Sequence, residues 1–252
     1  MFDFYGKAYG YFAKKVLRNK NIRHYKPSLI YSKEDANPSF KLIEVIIKSL
    51  DLAFKTNLLC GKPNLPDTHF LNVFPGEHYR LLNAIVKASG AKNVVEIGTY
   101  TGMGTLALQD GISDISIVTF DIIEWDKLPF PSHFDKSDID GKRIKQVIGD
   151  LSNDSFFFKN IDTLNAAEII FMDAPKNNIF EYEMAEKFSR LSPTNKPKYL
   201  IIDDIQFLNM IDFWRAIASP KLDISSFGHW SGTGIVDISD GFKFNFENVS
   251  PT

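Results

Sequence analysis

An acidic residue and three glycines in segment 94–104 are the residues best placed to do chemistry. An apolar run that contains Glu96 is followed by Gly98, Gly102 and Gly104, after which apolar residues resume at helical spacing. This order predicts a strand, a tight turn and a helix. Because glycine carries no Cβ atom, Gly98 and Gly102 allow a ligand to lie against the backbone, where the amides of the following helix face it. The segment therefore predicts a binding site for a nucleotide-like ligand.

The spacing of these glycines limits which classes of nucleotide-like ligand the turn can bind. Gly98 and Gly102 form a G-x-x-x-G pattern, which differs from the G-x-G-x-x-G of dinucleotide-binding turns, and no Lys-Ser or Lys-Thr pair follows as in a phosphate loop. A nicotinamide oxidoreductase is therefore disfavoured. Glu96 stands just before the first glycine, where its charge suits a cationic ligand group better than a pyrophosphate.

Carboxylates also follow the other apolar segments that have the length of strands. Segments 115–120, 144–148, 168–172 and 199–202 are followed, directly or after one glycine, by Asp121, Asp150, Asp173 and Asp203-Asp204. Helical patterns at 178–191 and 206–218 alternate with these strands, which predicts a parallel sheet covered by helices on both faces. Ligands bind beyond the carboxyl ends of the strands in such sheets, so we expect these acids to converge on one rim.

The fold class expected from this alternation is α/β, with a doubly wound, mostly parallel sheet of the Rossmann-like kind. A helix predicted over 76–89 leads into the first strand and stops at Gly90. The last strands are expected at 222–227, at 234–238 and along the alternating Phe242, Phe244 and Phe246.

The first part of the chain, residues 1–66, is predicted to form a helical extension that acts as a cap or in oligomerisation, ahead of a ligand-binding domain at 67–252. Apolar spacing predicts a helix over 40–54, and glycine and prolines mark a linker at 60–66. Residues 1–27 combine aromatic and basic side chains. We expect that segment to pack on its own core or on a partner subunit, with contact to a membrane surface as the alternative.

The composition excludes several classes of protein. At 252 residues and 44% hydrophobic content, the chain can bury a large core. Its formal net charge of -2 gives no reason to expect a nucleic-acid partner. The single Cys60 cannot form an internal disulfide, and we recognise neither an apolar run of membrane-spanning length nor a secretory signal. We therefore expect a cytoplasmic protein without a transmembrane segment.

Residues 96–102, Glu-Ile-Gly-Thr-Tyr-Thr-Gly, resemble motif I of class I S-adenosylmethionine-dependent methyltransferases, in the form found in the catechol and caffeoyl-CoA O-methyltransferase group. The resemblance extends over residues 73–238 and implies that Asp121 holds the ribose hydroxyls and Asp150 lies beside the adenine. It implies these cofactor-binding residues: Glu96, Gly98, Thr99, Tyr100, Gly102, Asp121, Ile122, Asp150, Leu151 and Asp173. The alternative is a turn that only packs a helix on a strand, with Asp121 as a solvated acid.

Two later segments resemble the metal-dependent members of that group. Asp173-Ala-Pro-Lys176 is similar to their Asp-Ala-x-Lys signature, and Ile-Asp203-Asp204 is similar to their Ile-Asp-Asn. The resemblance implies that Asp173, Asp203 and Asp204 bind Mg²⁺, or Mn²⁺ or Ca²⁺, and that Lys176 removes a proton from the acceptor. Asp204 departs from the family's asparagine and adds a negative charge. The alternative is that these are strand-end acids with Lys176 as a charge partner.

The function implied is transfer of a methyl group to a hydroxyl of a small-molecule acceptor, with Asp173 and Lys176 as catalytic residues. The alternatives are a metal-independent methyltransferase of a sugar or natural-product scaffold, and a protein that binds the cofactor without turnover. His69, His78 and His133 are expected to be packed or solvated side chains, and His229 is a candidate for the acceptor pocket. A homo-oligomer is compatible with the sequence, which contains no recognisable code for the acceptor.

Overall fold

Seven strands pair into one sheet in the part of the chain that the computed structural model describes, residues 32–139, 141–177, 179–207 and 210–246. In chain order the strands are β1 (Asn93–Ile97), β2 (Ser116–Asp121), β3 (Ile144–Ile148), β4 (Ile169–Met172), β5 (Tyr199–Asp203), β6 (Lys221–Asp223) and β7 (Thr233–Asp237). The α-helices are α1 (Phe40–Lys55), α2 (Tyr79–Ser89), α3 (Met103–Gln109), α4 (Asp154–Lys159), α5 (Ile161–Ala166), α6 (Phe180–Phe188) and α7 (Met210–Ala216). Two 3-10 helices span Pro66–Asn72 and Trp125–Lys127.

The order of the strands across the sheet is β3-β2-β1-β4-β5-β7-β6. Strands β1 to β5 are parallel, and β7 runs antiparallel between β5 and β6. The chain moves outward from β1 to β3 and then returns to the middle at β4, so the strand order reverses between β1 and β4. The crevice beyond these two strands is therefore the expected ligand site. The doubly wound, mostly parallel sheet predicted from the sequence is confirmed.

Neighbouring residues of the central strands pack on opposite faces of the sheet. Val94 and Ile169 pack in a core with α1, α2 and α3, whereas Val95 and Ile170 pack in a second core with α4 to α7. Strands β4 and β5 are buried at every position. Burial on both faces explains why these strands are continuous apolar runs and do not alternate with polar residues.

Local signals determine where the helices before β1 begin and end. The Oγ of Ser39 accepts a hydrogen bond from the amide of Leu42 at 3.2 Å and caps α1. Gly90 ends α2 in the left-handed conformation with φ 70°. The buried face of α1 consists of Leu42, Val45, Ile46, Ser49 and Ala53. The helix predicted over 40–54 is thus confirmed.

Two parts of the observed fold differ from the expectation. Helices α4 and α5 connect β3 to β4, but each has six residues, which is too short for a clear helical period. The strand expected along Phe242, Phe244 and Phe246 is wrong, because only one isolated bridge, from Ile217 to Phe244, forms there. Phe242 and Phe244 instead belong to the core on the α4 to α7 side, so their apolar alternation reflects packing on helices.

The segment before residue 67 packs on the same core as the sheet. Four buried residues of α1 belong to the cluster that contains Val94 and Ile169. Lys62, in the expected linker, donates from its amide to Nδ1 of His133 at 3.2 Å and from Nζ to the carbonyl of Ser132 at 2.9 Å. The division expected at residue 66 therefore separates segments in direct contact.

Residues 1–27, with the basic aromatic arm, lie outside the described residues. Among the described helices, none combines the length and apolar character that a membrane crossing requires.

Candidate functional site

The turn between β1 and α3 adopts backbone conformations that favour glycine. Gly98 has φ 102° and Gly102 has φ 86°, and Tyr100 between them has φ 45°. A Cβ atom at Gly98 would lie 1.9 Å from the backbone carbonyl oxygen of Asp173, and one at Gly102 would lie 2.6 Å from the ring of Phe134. The sequence leads us to expect a ligand beside these two glycines. In the structure, other residues of the protein lie there.

The carboxylate of Asp121 holds this turn in place. Its Oδ2 accepts hydrogen bonds from the backbone amides of Thr99 and Tyr100, both at 2.9 Å, and its Oδ1 accepts one from the amide of Ile123 at 3.1 Å. A carboxylate oxygen can accept two hydrogen bonds, so Oδ1 can accept a further one from a hydroxyl group. The backbone amides of Thr99 and Tyr100 thus point towards Asp121. They hold its carboxylate in a fixed position at the carboxyl end of β2.

Glu96 lies beneath the turn. It is 1% exposed, and its carboxylate accepts hydrogen bonds from the hydroxyl groups of Thr105 and Thr119, the second at 2.6 Å. Burial raises the pKa of Glu96 to about 8, so its carboxyl group is mostly protonated at neutral pH. The carboxylate of Glu96 contacts threonines in this structure, and the expectation that it neutralises a cationic ligand group stays a prediction. The residue supports the turn from below because its side chain is directed towards α3 and β2.

A cavity of about 710 Å³ opens beyond the carboxyl ends of β1 to β4. The expected cofactor-binding residues that line it are Gly98, Tyr100, Asp121, Ile122, Asp150, Leu151 and Asp173. Glu96, Thr99 and Gly102 do not line it. Its wall includes further residues that the sequence did not single out: Ile123, Ile179, Phe180 and Glu183. Apolar walls with a few charged groups at the rim are typical of small-molecule sites.

Three aspartates meet at the ends of β4 and β5, next to this cavity. Asp173 follows β4, Asp203 is the last residue of β5, and Asp204 follows it with φ 60°. Each offers a carboxylate oxygen, and these oxygens lie within 4.8 Å of one another. The three acids converge as their positions at strand ends predict. Asp173 belongs both to this acid cluster (Asp173, Asp203 and Asp204) and to the wall of the cavity.

The ammonium group of Lys176 lies between two acids of the cluster. Its Nζ is 2.6 Å from Oδ1 of Asp173 and 2.7 Å from Oδ2 of Asp204. Burial alone would lower the pKa of Lys176, but the charges of Asp173, Asp203 and Asp204 raise it above its usual range. A general base near neutral pH must be an unprotonated amine. The neighbouring carboxylates thus favour the cationic form of Lys176, and its role as the base that removes a proton stays a prediction.

The position of Lys176 also decides which atoms remain for a divalent cation. Lys176 already contacts Asp173 and Asp204, and Oδ1 of Asp204 accepts a hydrogen bond from the hydroxyl of Ser231. A cation held by all three aspartates would compete with the ammonium group for the same oxygens. Oδ1 of Asp203 differs, because it has no hydrogen-bond partner among the described residues. Binding of a cation by all three aspartates would therefore require Lys176 to move away from Asp173 and Asp204, and the ligand set implied by the resemblance stays a prediction.

Two histidines approach the third acid, Asp203. Nδ1 of His78 lies 3.2 Å from Oδ1 of Asp203, and Nδ1 of His229 lies 3.4 Å from the same oxygen. Although burial opposes its charge, the nearby carboxylates raise the pKa of His229 to about 10. Despite burial, His78 and His229 lower the pKa of Asp203 below its usual range. The sequence missed this group because His78 and His229 are far apart in the chain, and only the glycine-rich turn after His229 hinted at a site.

Comparison with known proteins yields one match to a protein family. Residues 69–191 match the model of a family described as O-methyltransferase. No curated protein shows a significant match to the chain.

Several solved structures resemble the chain at low sequence identity. A putative caffeoyl-CoA O-methyltransferase from Staphylococcus aureus is 16% identical, with 66% of this chain and 82% of that chain covered and a TM-score of 0.43. An O-methyltransferase from Bacillus cereus in complex with SAH is 18% identical, with coverages of 77% and 90% and a TM-score of 0.43. The MycE methyltransferase of the mycinamycin biosynthetic pathway, in complex with Mg and SAH, is 17% identical, with coverages of 83% and 57% and a TM-score of 0.43.

Proposed function

We propose that this chain is a class I S-adenosylmethionine-dependent methyltransferase that methylates a hydroxyl group of a small-molecule acceptor, and the match of its residues 69–191 to the O-methyltransferase family supports this proposal. The observation that carries this proposal is the position of Asp173, which lines the cavity on one side and contacts Lys176 on the other. A cofactor in the cavity and an acceptor beside the acid cluster would meet at this residue.

We assign the cofactor to the cavity beyond β1 to β4. Oδ1 of Asp121 is positioned to accept a hydrogen bond from a ribose hydroxyl, since Oδ2 is already held by two amides. Asp150 and Leu151 follow β3 and line the same cavity, where they suit the adenine. Gly98 and Asp173 then face the methionine part of the cofactor.

The reaction needs a base for one proton. The methyl group passes from the sulfonium sulfur to the acceptor oxygen, which leaves a neutral thioether, while the acceptor's hydroxyl proton must be taken up. Burial and the charge of Asp203 raise the pKa of Asp173, which favours its carboxylate as the proton acceptor. The ammonium group of Lys176 then stabilises the negative charge that develops on the acceptor oxygen. Alignment of the three reacting atoms supplies much of the remaining acceleration.

A divalent cation, Mg²⁺, Mn²⁺ or Ca²⁺ by the resemblance, is the second part of the proposal. Negative charge exceeds positive charge around Lys176 and His229, which favours a further cation. The surrounding carboxylates are Glu77, Asp173, Asp203 and Asp204. Asp203 is the acid whose Oδ1 is left to bind it. When bound, such a cation lowers the pKa of a coordinated hydroxyl group.

The remaining expectations are also proposals. We propose that residues 1–66 act as a cap or in a homo-oligomer, that peripheral membrane contact, if present, involves residues 1–27, and that the protein works in the cytoplasm. Two other functions compete with the main proposal. One is a metal-independent methyltransferase of a sugar or natural-product scaffold, and the other is a protein that binds the cofactor without turnover.

A combined binding and transfer experiment tests the proposal. Calorimetric titration with S-adenosylmethionine and with its demethylated product should show one site, and NAD should not bind. Methyl-labelled cofactor should then transfer label to an acceptor in a screen of hydroxylated small molecules. Cofactor binding without transfer to any acceptor would support the non-catalytic alternative. Full activity after exhaustive chelation would support the metal-independent one.

A further inference from the structure

A second group of possible metal ligands lies next to the acid cluster and shares Asp203 with it. The donor atoms of His78, Asp203 and His229 lie within 4.8 Å of one another. The two imidazole rings pack edge to face, with their centroids 5.1 Å apart, and Nδ1 of each ring approaches Oδ1 of Asp203. This group, the His-Asp-His cluster (His78, Asp203 and His229), combines two ring nitrogens with one carboxylate oxygen.

Polar atoms of this cluster are buried without hydrogen-bond partners among the described residues. These atoms are Nδ1 and Nε2 of His78 and Oδ1 of Asp203. His78 and Asp203 are 3% and 2% exposed, so water does not reach them freely. Although Nδ1 of His78 lies 3.2 Å from Oδ1 of Asp203, the two groups are not aligned as a hydrogen bond. An unsatisfied buried polar group destabilises a protein, and a cation held by Nδ1 of His78 and Oδ1 of Asp203 would give both of these atoms a partner.

The surroundings of His229 suit a metal ligand. Its Nε2 lies 3.3 Å from Oε2 of Glu77, and this carboxylate can hold the ring so that Nδ1 faces Asp203. A histidine that binds a metal through one ring nitrogen commonly donates the N–H of the other nitrogen to a carboxylate. Nδ1 of His229 also lies 2.7 Å from the hydroxyl of Ser231, a contact that an incoming cation would replace. The ammonium group of Lys176 lies between Asp173 and Asp204, so it does not occupy Oδ1 of Asp203.

We propose that His78, Asp203 and His229 bind a first-row transition-metal dication, of the class of Mn²⁺, Fe²⁺, Co²⁺ or Zn²⁺, rather than the Mg²⁺ or Ca²⁺ that the resemblance implies. Imidazole nitrogen favours these metals, whereas Mg²⁺ and Ca²⁺ favour sites built from oxygen alone. Two histidines and one carboxylate leave coordination positions open for other ligands. The inference rests on the proposed function for the presence of a cation beside Asp203, but metal binding can be measured without methyl transfer.

The test uses the full-length protein after chelation and removal of the chelator. Calorimetric titration with Zn²⁺, Mn²⁺ and Mg²⁺ should show one site, with Zn²⁺ binding at least about 100-fold more tightly than Mg²⁺. Co²⁺ should give visible absorption bands that report nitrogen ligands. His78→Ala and His229→Ala should each weaken Zn²⁺ binding about 10- to 100-fold or more. Asp173→Ala should leave it nearly unchanged, as should His69→Ala, which replaces an exposed histidine.

Other outcomes would overturn the proposal. Tightest binding of Mg²⁺ that is lost in Asp173→Ala would assign the cation to the three aspartates instead. Absence of binding for every cation would make the two histidines counterions of Asp203 only. Circular dichroism and thermal unfolding show whether each variant is folded. If the unmutated protein binds Zn²⁺ but not S-adenosylhomocysteine, the proposed function fails and the metal assignment stands. The absorption bands of Co²⁺ in unmutated protein keep the test valid if a histidine variant does not fold.

Discussion

A Cβ atom on Gly98 would lie 1.9 Å from the backbone carbonyl oxygen of Asp173, so the turn after β1 and the end of β4 meet where only glycine fits. The amide of Asp173 also donates to the carbonyl of Ile97 at 2.9 Å, which fixes the two strand ends against each other. Gly98 borders the cavity that we assign to the cofactor, and Asp173 borders the acid cluster. This contact therefore determines the distance between the proposed cofactor and acceptor positions.

Gly98→Ala should disrupt this contact. The new methyl group would overlap the carbonyl of Asp173, and φ 102° is unfavourable for alanine. We expect a loss of more than about 2 kcal/mol in the free energy of unfolding, measured by urea denaturation, together with weaker cofactor binding. Gly90→Ala is the matched control, because φ is 70° there but no atom lies within 4 Å of the added Cβ. It should cost about 1 kcal/mol. Equal losses in the two variants would contradict the steric argument.

Asp121→Ala should weaken cofactor binding. The substitution removes the proposed acceptor for the ribose and also releases the turn amides of Thr99 and Tyr100. We expect a loss of about 1.5–3 kcal/mol of binding free energy, measured by calorimetry with S-adenosylhomocysteine. Asp114→Ala removes an exposed acid that pairs with Lys92 before β2, and it should leave the dissociation constant unchanged. An unchanged constant in Asp121→Ala would remove this residue from the cofactor site.

Glu96 should make the protein less stable as the pH rises. Burial raises its pKa from 4.5 to about 8, so between these values the folded protein holds a proton that the unfolded chain has released. The free energy of unfolding therefore falls over this range, by an amount on the order of a few kcal/mol. Glu96→Gln should flatten the fall, measured by urea denaturation at about pH 5 and about pH 8. The exposed control Glu124→Gln should keep the slope of the unmutated protein, and a steep slope in Glu96→Gln would count against this assignment.

Substitutions of Lys176 distinguish a cationic role from a basic one. Lys176→Met should slow methyl transfer by a factor of about 100 or more, with cofactor affinity nearly unchanged, since the acceptor oxygen loses its positive neighbour. Lys176→Arg keeps the charge but cannot accept a proton near neutral pH, so it should recover part of the rate. If arginine and methionine were equally slow, proton removal by Lys176 would be the better explanation.

Lys187→Met supplies the control for these variants. Lys187 is also a largely buried lysine paired with one aspartate, Asp154, but it lies on α6. Its substitution is expected to lower stability without changing the rate of transfer. A comparable loss of rate in Lys187→Met would mean that the effect of Lys176→Met comes from general destabilisation.

Local patterns in the sequence determined the positions of the strands, the turn and the acids that form the site. The period of apolar residues located β1 to β5, and glycine spacing located the turn after β1. Acids at the ends of parallel strands must come to one edge of the sheet, so the meeting of Asp173, Asp203 and Asp204 followed from their positions in the chain. The same patterns could not locate α4 and α5, because a six-residue helix has too few turns to show its period.

Only the tertiary structure decided how the side chains of the site pair with one another. Glu96 belongs to the motif by position, yet its carboxyl group is buried under two threonines. His78 and His229 lie far apart in the chain and meet at Asp203, where an isolated bridge joins the backbones of Gly76 and His229. The pKa of Lys176 is raised because folding surrounds it with carboxylates. Charge state and ligand choice depend on distances between side chains, and local sequence patterns do not encode those distances.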